Sequence, residues 1–341
     1  VDVAVTLKDI AAQAGVHLST VSRVLNHKRP LQRISERTRL KIIEIANELN
    51  YQPNEMARSL RLKRTFTIGL ILPDISNSFF SRMARSIEIE AEKNGYTVII
   101  CNSAEVPEKE HQLIELLIQK CIDGLIITPV QQTPEQFEML RQKNFPFVFM
   151  INHYENLKTN AIITDNHGDA FKATQYLIQT EHRRIGCIHG RPDLIFNRER
   201  LAGYRDALQA YQFPENPHFQ QECDFSVSGG CQGALAILSQ PTPPTALLIT
   251  DNLLTIGALK AIHQLKLHVP NDISIIGFCD DPAVDVFNPP ITTISHPLDE
   301  IGQRAFTLLN QTMQNKNNQE VTKIVLNTKF HLRESTTLWE F

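Results

Sequence analysis

From Leu18 to Asn26 the sequence LSTVSRVLN turns Ser19, Ser22, Arg23 and Asn26 to one side of a helix, opposite Val21, Val24 and Leu25. A guanidinium on such a face donates two parallel hydrogen bonds to guanine O6 and N7, which makes Arg23 a candidate reader of a base pair in the major groove. A phosphate contact or a surface ion pair is the other role open to it, since phosphate contacts outnumber base contacts in most complexes. Ser19 is the candidate polar reader. Leu18 stands three residues before Val21 and seven before Leu25, so it either extends the apolar stripe or faces outward with the readers. Lys28, Arg29, Arg33, Arg37 and Arg39 follow; they either neutralise phosphates or form a solvated basic rim.

Catalytic and metal chemistry find less support. The chain has no G-x-G-x-x-G, Walker A, G-x-S-x-G or H-E-x-x-H motif, and His263 and His268 are five apart, off a shared helix face. Cys101, Cys121, Cys187, Cys223, Cys231 and Cys279 include no C-x-x-C pair, and their spacings suit neither a zinc cluster nor a disulfide framework. The expectation is reduced, packed thiols, no metal and no cofactor. No apolar run approaches the roughly 20 residues that cross a bilayer, and VDVAVTLKDIAAQAG lacks a secretory pattern. A cytoplasmic protein without a membrane partner is expected.

A reading helix needs a scaffold. Leu7, Ile10, Ala11 and Ala14 follow the spacing of one buried helical stripe, with Thr6 placed to cap it and Gly15 to stop it. The first helix is then about two turns long, and the tight Gly turn into the second makes a helix-turn-helix. A third helix starting at Ser35 buries Ile42, Ile45, Ala46 and Leu49, which gives the pair something to pack on. Charge agrees with a separate head. Residues 1–64 hold twelve Lys/Arg against six Asp/Glu, a net +6, whereas the remainder carries a net -9. A chain of 341 residues with 42% hydrophobic and 21% charged side chains exceeds one core and is neither disordered nor fibrous.

Beyond Arg64 the pattern changes to apolar runs alternating with amphipathic stretches. Phe66–Pro73, Thr97–Ser103, Gly124–Pro129 and Phe147–Asn152 read as buried parallel strands of one doubly wound α/β unit. Ala161–Asp165, Arg184–Gly190, Thr245–Thr250 and Ile273–Phe278 read as a second set, and Ile291–Pro297 with a helix over 298–314 is expected to cross back to the first. In such folds ligands bind outside the carboxyl ends of strands, so a cleft between the units is expected.

TLKDIAAQAGV (Thr6 to Val16), TVSRVLN (Thr20 to Asn26) and ELNYQPNEMARSLR (Glu48 to Arg61) resemble the DNA-binding signature of the lactose-repressor, or LacI/GalR, transcription regulators, and the likeness runs along the chain. It implies three parts: a helix-turn-helix domain over 1–53, a hinge helix and linker over 54–64, and a two-lobed, periplasmic-binding-protein-like effector and dimerisation body over 65–341. By that likeness Leu18, Ser19 and Arg23 fall at base-reading positions, and the DNA-contacting set also takes in Thr6, Thr20, Ser22 and Asn26. Asn54 to Leu60 corresponds to the hinge helix. Seven residues are too few to hold a helix alone, so its order must come from a partner helix and the minor groove. Ala57 is small enough for two such helices to approach, and Leu60 either wedges into the central base step or docks on the body. One departure is the loop from His27 to Ile34, about three residues longer and more basic than is usual for the family.

The same resemblance supplies the effector residues. Asn77, Phe79 and Phe80 in DISNSFF are similar to a sugar-binding N-P-F-F pattern, with Ser78 in place of proline; Arg200 matches an arginine that binds ligand oxygens and Phe225 an opposite aromatic wall. Ordinary core packing is the other reading of the rings, and a surface ion pair that of Arg200. Asn152, Asp251, Cys279 and His296 depart from the family's frequent aspartate, asparagine, aspartate and glutamine. Asp280 is a substitute acceptor for Cys279, and His153 and His296 either add positive charge to the pocket or, as a lone histidine more often does, serve as hydrogen-bonded structure. The implied protein is a homodimeric repressor without enzymatic activity, bound to a near-palindromic double-stranded DNA operator and controlled by a sugar or sugar acid. The chain ends at HLRESTTLWEF without a leucine heptad, which favours a dimer over a tetramer. An α/β enzyme acting on a small metabolite is the alternative, and a sugar-binding transport protein is opposed by the basic head.

Overall fold

The computed structural model describes residues 5–26, 34–51, 62, 64–130, 134–278, 281, 284, 286–314 and 321–336. The chain divides after Thr65 into two compact units. In the first, helix α1 (Leu7–Ala14) is closed at its start by Asp9, whose Oδ2 accepts from the Thr6 backbone N–H (2.8 Å) and from Thr6 Oγ1 (2.7 Å). Those bonds hold the Asp9 carboxyl below its ordinary range. Gly15 ends the helix at φ 68°, a left-handed conformation that costs glycine nothing and lets the chain turn at once into α2 (Leu18–Asn26). Helix α3 (Glu36–Glu48) starts on Ser35, whose Oγ accepts from the Thr38 N–H (3.2 Å).

Ile10, Ala11, Ala14, Val21, Ile42, Ile45 and Ala46 form the core of this unit, with Leu7, Val24, Leu25 and Leu49 partly buried against it. Lys41 Nζ donates to the Ala14 carbonyl (3.0 Å), placing a cation on the carboxyl end of α1. Leu18 is 38% exposed, so it belongs to the outward face and does not extend the core stripe. Asn54, Ala57 and Leu60 lie outside the described residues, as do Lys28, Arg29 and Arg33.

The second unit contains two six-stranded sheets built alike. Strands β1 (Thr67–Leu72), β2 (Thr97–Asn102), β3 (Gly124–Ile127), β4 (Phe147–Met150), β5 (Ala161–Thr164) and β11 (Lys323–Leu326) form one sheet in the order β11-β5-β4-β3-β1-β2, parallel throughout. Strands β6 (Ile185–His189), β7 (Gln220–Glu222), β8 (Ala246–Ile249), β9 (Ser274–Phe278), β10 (Thr292–Ser295) and β12 (Lys329–His331) form the other in the order β12-β10-β9-β8-β6-β7, with β12 alone antiparallel. The central strands are buried along their length, Thr67 at the start of β1 excepted, as a sheet covered by helices on both faces requires.

Ala161–Asp165 was expected to open the second sheet, but β5 pairs with β4, Phe149 opposite Ala161 and Met150 opposite Ile162, and completes the first. Its helix, Asn166–Gln179, is the element that enters the second lobe, where it packs on the helix Ile195–Ala210. A β-carbon at Gly203 would collide with the His167 carbonyl, so glycine there permits the close approach of those two helices. As expected, the helix Leu298–Gln314 crosses back and packs on the helix Ser78–Lys93 of the first lobe. The chain therefore passes between the lobes three times: just after β5, at His296 and Pro297 after β10, and at Asn327 and Thr328 between β11 and β12. No helix among the described residues is long and apolar enough to cross a membrane.

Candidate DNA-reading face and effector cavity

On α2, Leu18, Ser19 and Arg23 are exposed while Thr20 and Ser22 are half-buried. The His17 ring covers the start of this helix: its Nδ1 lies 2.8 Å from Ser19 Oγ and accepts from the Ser19 N–H at 3.3 Å. Asn26 ends α2, and Thr6 closes the start of α1. The helix thus offers an alcohol, a guanidinium and an apolar tip on one open face, backed by Val21 in the core.

In the second unit, the segments beyond the carboxyl ends of β1, β2, β3 and β4 in one lobe and of β6, β7 and β8 in the other meet around a cavity. Asn77, Phe79, Phe80, Arg200, Phe225 and Asp251 line it together. The Phe79 and Phe80 rings meet edge to face with centroids 5.1 Å apart; across the cavity Phe225 lies 6.0 Å from Phe196, tilted by 31°. Asp74, which opens the DISNSFF stretch, also lines the cavity, as do Glu105 and Phe196, which had no motif to announce them.

The polar side chains are held by the protein in ways their spacing did not reveal. Asn77 caps the helix Ser78–Lys93: its Oδ1 accepts from the Phe79 N–H (3.0 Å) and also from Asn252 Nδ2 (2.8 Å), while its Nδ2 donates to Asn252 Oδ1 (3.3 Å). Its oxygen is thus filled by the helix start and the inter-lobe pair, and the second Nδ2 hydrogen is what it has to offer a ligand oxygen. Ser78 Oγ donates to Asp281 of the opposite lobe nearby. Arg200, 2% exposed, donates from Nε to Asn166 Oδ1 (3.0 Å), from Nη1 to the Thr250 carbonyl (2.6 Å) and from Nη2 to His296 Nε2 (2.9 Å). Its guanidinium lies 4.3 Å from the Phe278 ring centroid. Asp251 caps the helix Asn252–Gln264, accepting from the Leu253 N–H (2.8 Å) and the Leu254 N–H (3.3 Å); burial pushes its carboxyl up, against those bonds and Arg200.

Of the two readings of the histidines, hydrogen-bonded structure is the one the geometry matches. Burial, then Arg200, keeps His296 neutral, far below the ordinary imidazole range, behind the cavity and 5.4 Å from the Phe79 ring. Burial and the neighbouring Lys323 push His153 down to about 4, and its Nε2 accepts from Lys323 Nζ (2.9 Å). Asn152 and His153 do not line this cavity. They line a separate recess with Glu155, Asp193 and Arg198. Cys279 and Asp280 lie outside the described residues. Among the described residues no cluster of three His, Cys, Asp or Glu side chains is placed to hold a metal ion.

A helix-turn-helix unit with an open polar face, on one chain with a two-lobed cavity at strand ends, defines the class of ligand-responsive DNA-binding regulators. The chain belongs to the lacI family of bacterial regulatory proteins and is a transcription regulator. The model of that family matches residues 6–54, and that of the periplasmic binding protein-like domain matches residues 174–336. It is 33% identical over 316 residues to the HTH-type transcriptional repressor PurR of Vibrio parahaemolyticus, covering 92% of this chain and 94% of that one. To the repressor CytR of Escherichia coli K12 it is 35% identical over 314 residues, covering 92% and 91%. The crystal structure of the lac repressor dimer bound to operator and the anti-inducer ONPF superposes with a TM-score of 0.87 at 28% identity, covering 98% and 100% of the two chains.

Proposed function

We propose that this regulator grips a near-palindromic operator as a homodimer and that a small hydroxylated effector in the cavity, a sugar or sugar derivative, sets the relative orientation of the two lobes and so the grip. Arg200 is the observation that carries this reading. It lines the cavity and at the same time touches two of the three inter-lobe passages, through Asn166 after β5 and His296 after β10. The third passage is reached through Asp169, whose carboxyl lies in the field of Arg200 and accepts from Thr328. A ligand that favours one arrangement of these contacts favours one lobe orientation, and the shift equals its difference in affinity for the two. Leu18, Ser19, Thr20, Ser22, Arg23 and Asn26 are the proposed major-groove set. Thr6, which caps the start of α1, is a further proposed DNA contact, and Asn54, Ala57 and Leu60 form the proposed minor-groove hinge that relays lobe orientation to the heads.

The test is an operator titration with and without a panel of sugars. Arg200→Ala is expected to lose the effector response and keep most operator affinity, with folding checked by circular dichroism; an undiminished response removes Arg200 from the coupling. In the same assay Arg23→Ala is expected to relax preference at one base pair by about 1–3 kcal/mol. A uniform loss across all sequences assigns Arg23 to phosphate. Turnover of a bound sugar by the purified protein would favour the enzyme alternative, since a regulator releases its ligand unchanged.

A further inference from the structure

We infer that the cavity takes an uncharged, donor-rich molecule with a flat apolar face and rejects the phosphorylated or carboxylated forms of the same molecule. The inference rests on the effector reading above and adds the charge class, which that reading leaves open between a sugar and a sugar acid.

Carboxylates reach the lining from both lobes: Asp74 and Glu105 from one, Asp251 from the other. They stand close enough to feel each other. Burial pushes the Glu105 carboxyl up; Arg191 opposes this, and Asp251, Asp224 and Asp74 push it further in the same direction as burial. Arg200 is the cation among the described lining residues, and its guanidinium already serves Asn166, the Thr250 carbonyl and His296 while stacking on Phe278. His296 adds no charge, because the nitrogen that accepts from Arg200 cannot carry a proton at the same time. Arg191 stands outside the lining, beside Glu105, with its Nε 3.7 Å from Asp193 Oδ1; its Nε and Nη2 find no hydrogen-bond partner among the described residues, which makes it the counter-charge to be tested.

An anion entering this space shares it with three carboxyl groups at reduced dielectric, so it meets either their repulsion or the cost of protonating them, and the cation among the described lining residues is already committed. A carboxyl group carries at most one hydrogen on two oxygens and so accepts more hydrogen bonds than it donates in either protonation state; the complementary ligand brings hydroxyl or N–H donors. Thr128 Oγ1 adds a further polar point: it belongs to the lining, is buried, and finds no hydrogen-bond partner in the protein. The ring pairs Phe79–Phe80 and Phe196–Phe225, one from each lobe, supply apolar walls for a flat face between those polar points.

The experiment uses the full chain and matched pairs: ribose with ribose 5-phosphate, glucose with glucose 6-phosphate and gluconate, and a nucleoside with its 5′-monophosphate. Each compound is screened by thermal shift, and hits are titrated calorimetrically. The expected result is that any pair that registers does so through its uncharged member, at least tenfold more tightly than the anion. Glu105→Gln and Asp251→Asn, the latter retaining a capping side chain, should each narrow that gap by admitting the anion. An anion that binds as tightly as its uncharged partner overturns the inference and makes Arg191 its counter-charge, while leaving the effector reading intact. Binding by no member of any pair, with operator affinity unmoved by all of them, overturns the effector reading and this inference together.

Discussion

In the lobe built on β1 to β5, Glu110 lies in the first turn of the helix Pro107–Gln119 with no exposed surface; its Oε2 accepts from the Val130 N–H (2.8 Å) and its Oε1 from Gln136 Nε2 (2.8 Å). In the lobe built on β6 to β10, Arg200 is buried with comparable completeness but spends its hydrogen bonds on Asn166, the Thr250 carbonyl and His296. Arg200 lines the cavity and Glu110 stands behind it, bonded to the lining residue Val130, and both sheets share one strand order. The charges have opposite sign and grip different things. Glu110 holds a cavity loop through Val130, whereas Arg200 holds the passages between the lobes. A duplicated scaffold fixes where a site forms, beyond the strand ends, while a single buried ionisable side chain decides whether that part of the wall is anchored locally or coupled to lobe orientation.

The largest effect is expected from breaking the coupled half. Arg200→Met would leave Asn166 Oδ1, the Thr250 carbonyl and His296 Nε2 without their common donor, and the expected loss is about 3–5 kcal/mol of stability. Urea unfolding checks this. A loss below about 1 kcal/mol would mean that those acceptors re-pair easily and that the contrast between the lobes is superficial.

The anchored half should show itself through pH. Burial pushes the Glu110 carboxyl from 4.5 up to about 7, against the hydrogen bonds from Val130 and Gln136. The folded protein therefore holds this proton more tightly than the unfolded chain does. The contribution to stability is fully present below about pH 4.5 and is lost as the pH rises through about 7. The loss expected from this group is about 3 kcal/mol, and Glu110→Gln should remove that slope. Unfolding curves at pH 5 and pH 8 for parent and variant measure it; parallel pH dependence in the two proteins would show that the carboxyl is not buried in solution as it is here.

The contrast between the lobes was only partly legible in the sequence, for identifiable reasons. Periodicity found the three head helices, because Ile10 with Ala14, Val21 with Val24 and Leu25, and Ile42 with Ile45 and Ala46 each keep helical spacing, and Gly15 marks the stop. Apolar runs found the central strands, yet a run says that a strand is buried and not which strand lies beside it, so β5 was given to the wrong sheet. The edge strands β7, β11 and β12 are short and partly polar or exposed, and left no run to see. Asn152 and His153 follow β4 as expected but turn away from the cavity, because Ile151 adopts φ 67° and redirects the chain there. Glu110 was invisible since Glu108 shares its turn, and nothing in PEKEHQ marks which carboxyl faces inward. Asp74 and Glu105 sit on loops, where residue type carries no period.

The smallest effect concerns what joins the lobes. Asn77 and Asn252 exchange hydrogen bonds across the cleft, each from the start of a helix in its own lobe. Asn77→Ala also removes the cap on the Phe79 N–H, whereas Asn252→Ala removes the pair alone, so the single variants should differ by about 1 kcal/mol. A double-mutant cycle isolates the reciprocal contact, with an expected coupling of about 1 kcal/mol. The same cycle measured on effector affinity is more telling. If the tie holds the lobes in the arrangement that binds effector, both single variants weaken binding and the double variant weakens it no further than the worse of the two. If it holds the opposing arrangement, Asn252→Ala strengthens binding, because the free energy that closed the lobes without ligand is no longer spent against it. Additive effects on affinity would separate the two residues and leave Arg200 as the sole proposed link between cavity and lobe orientation.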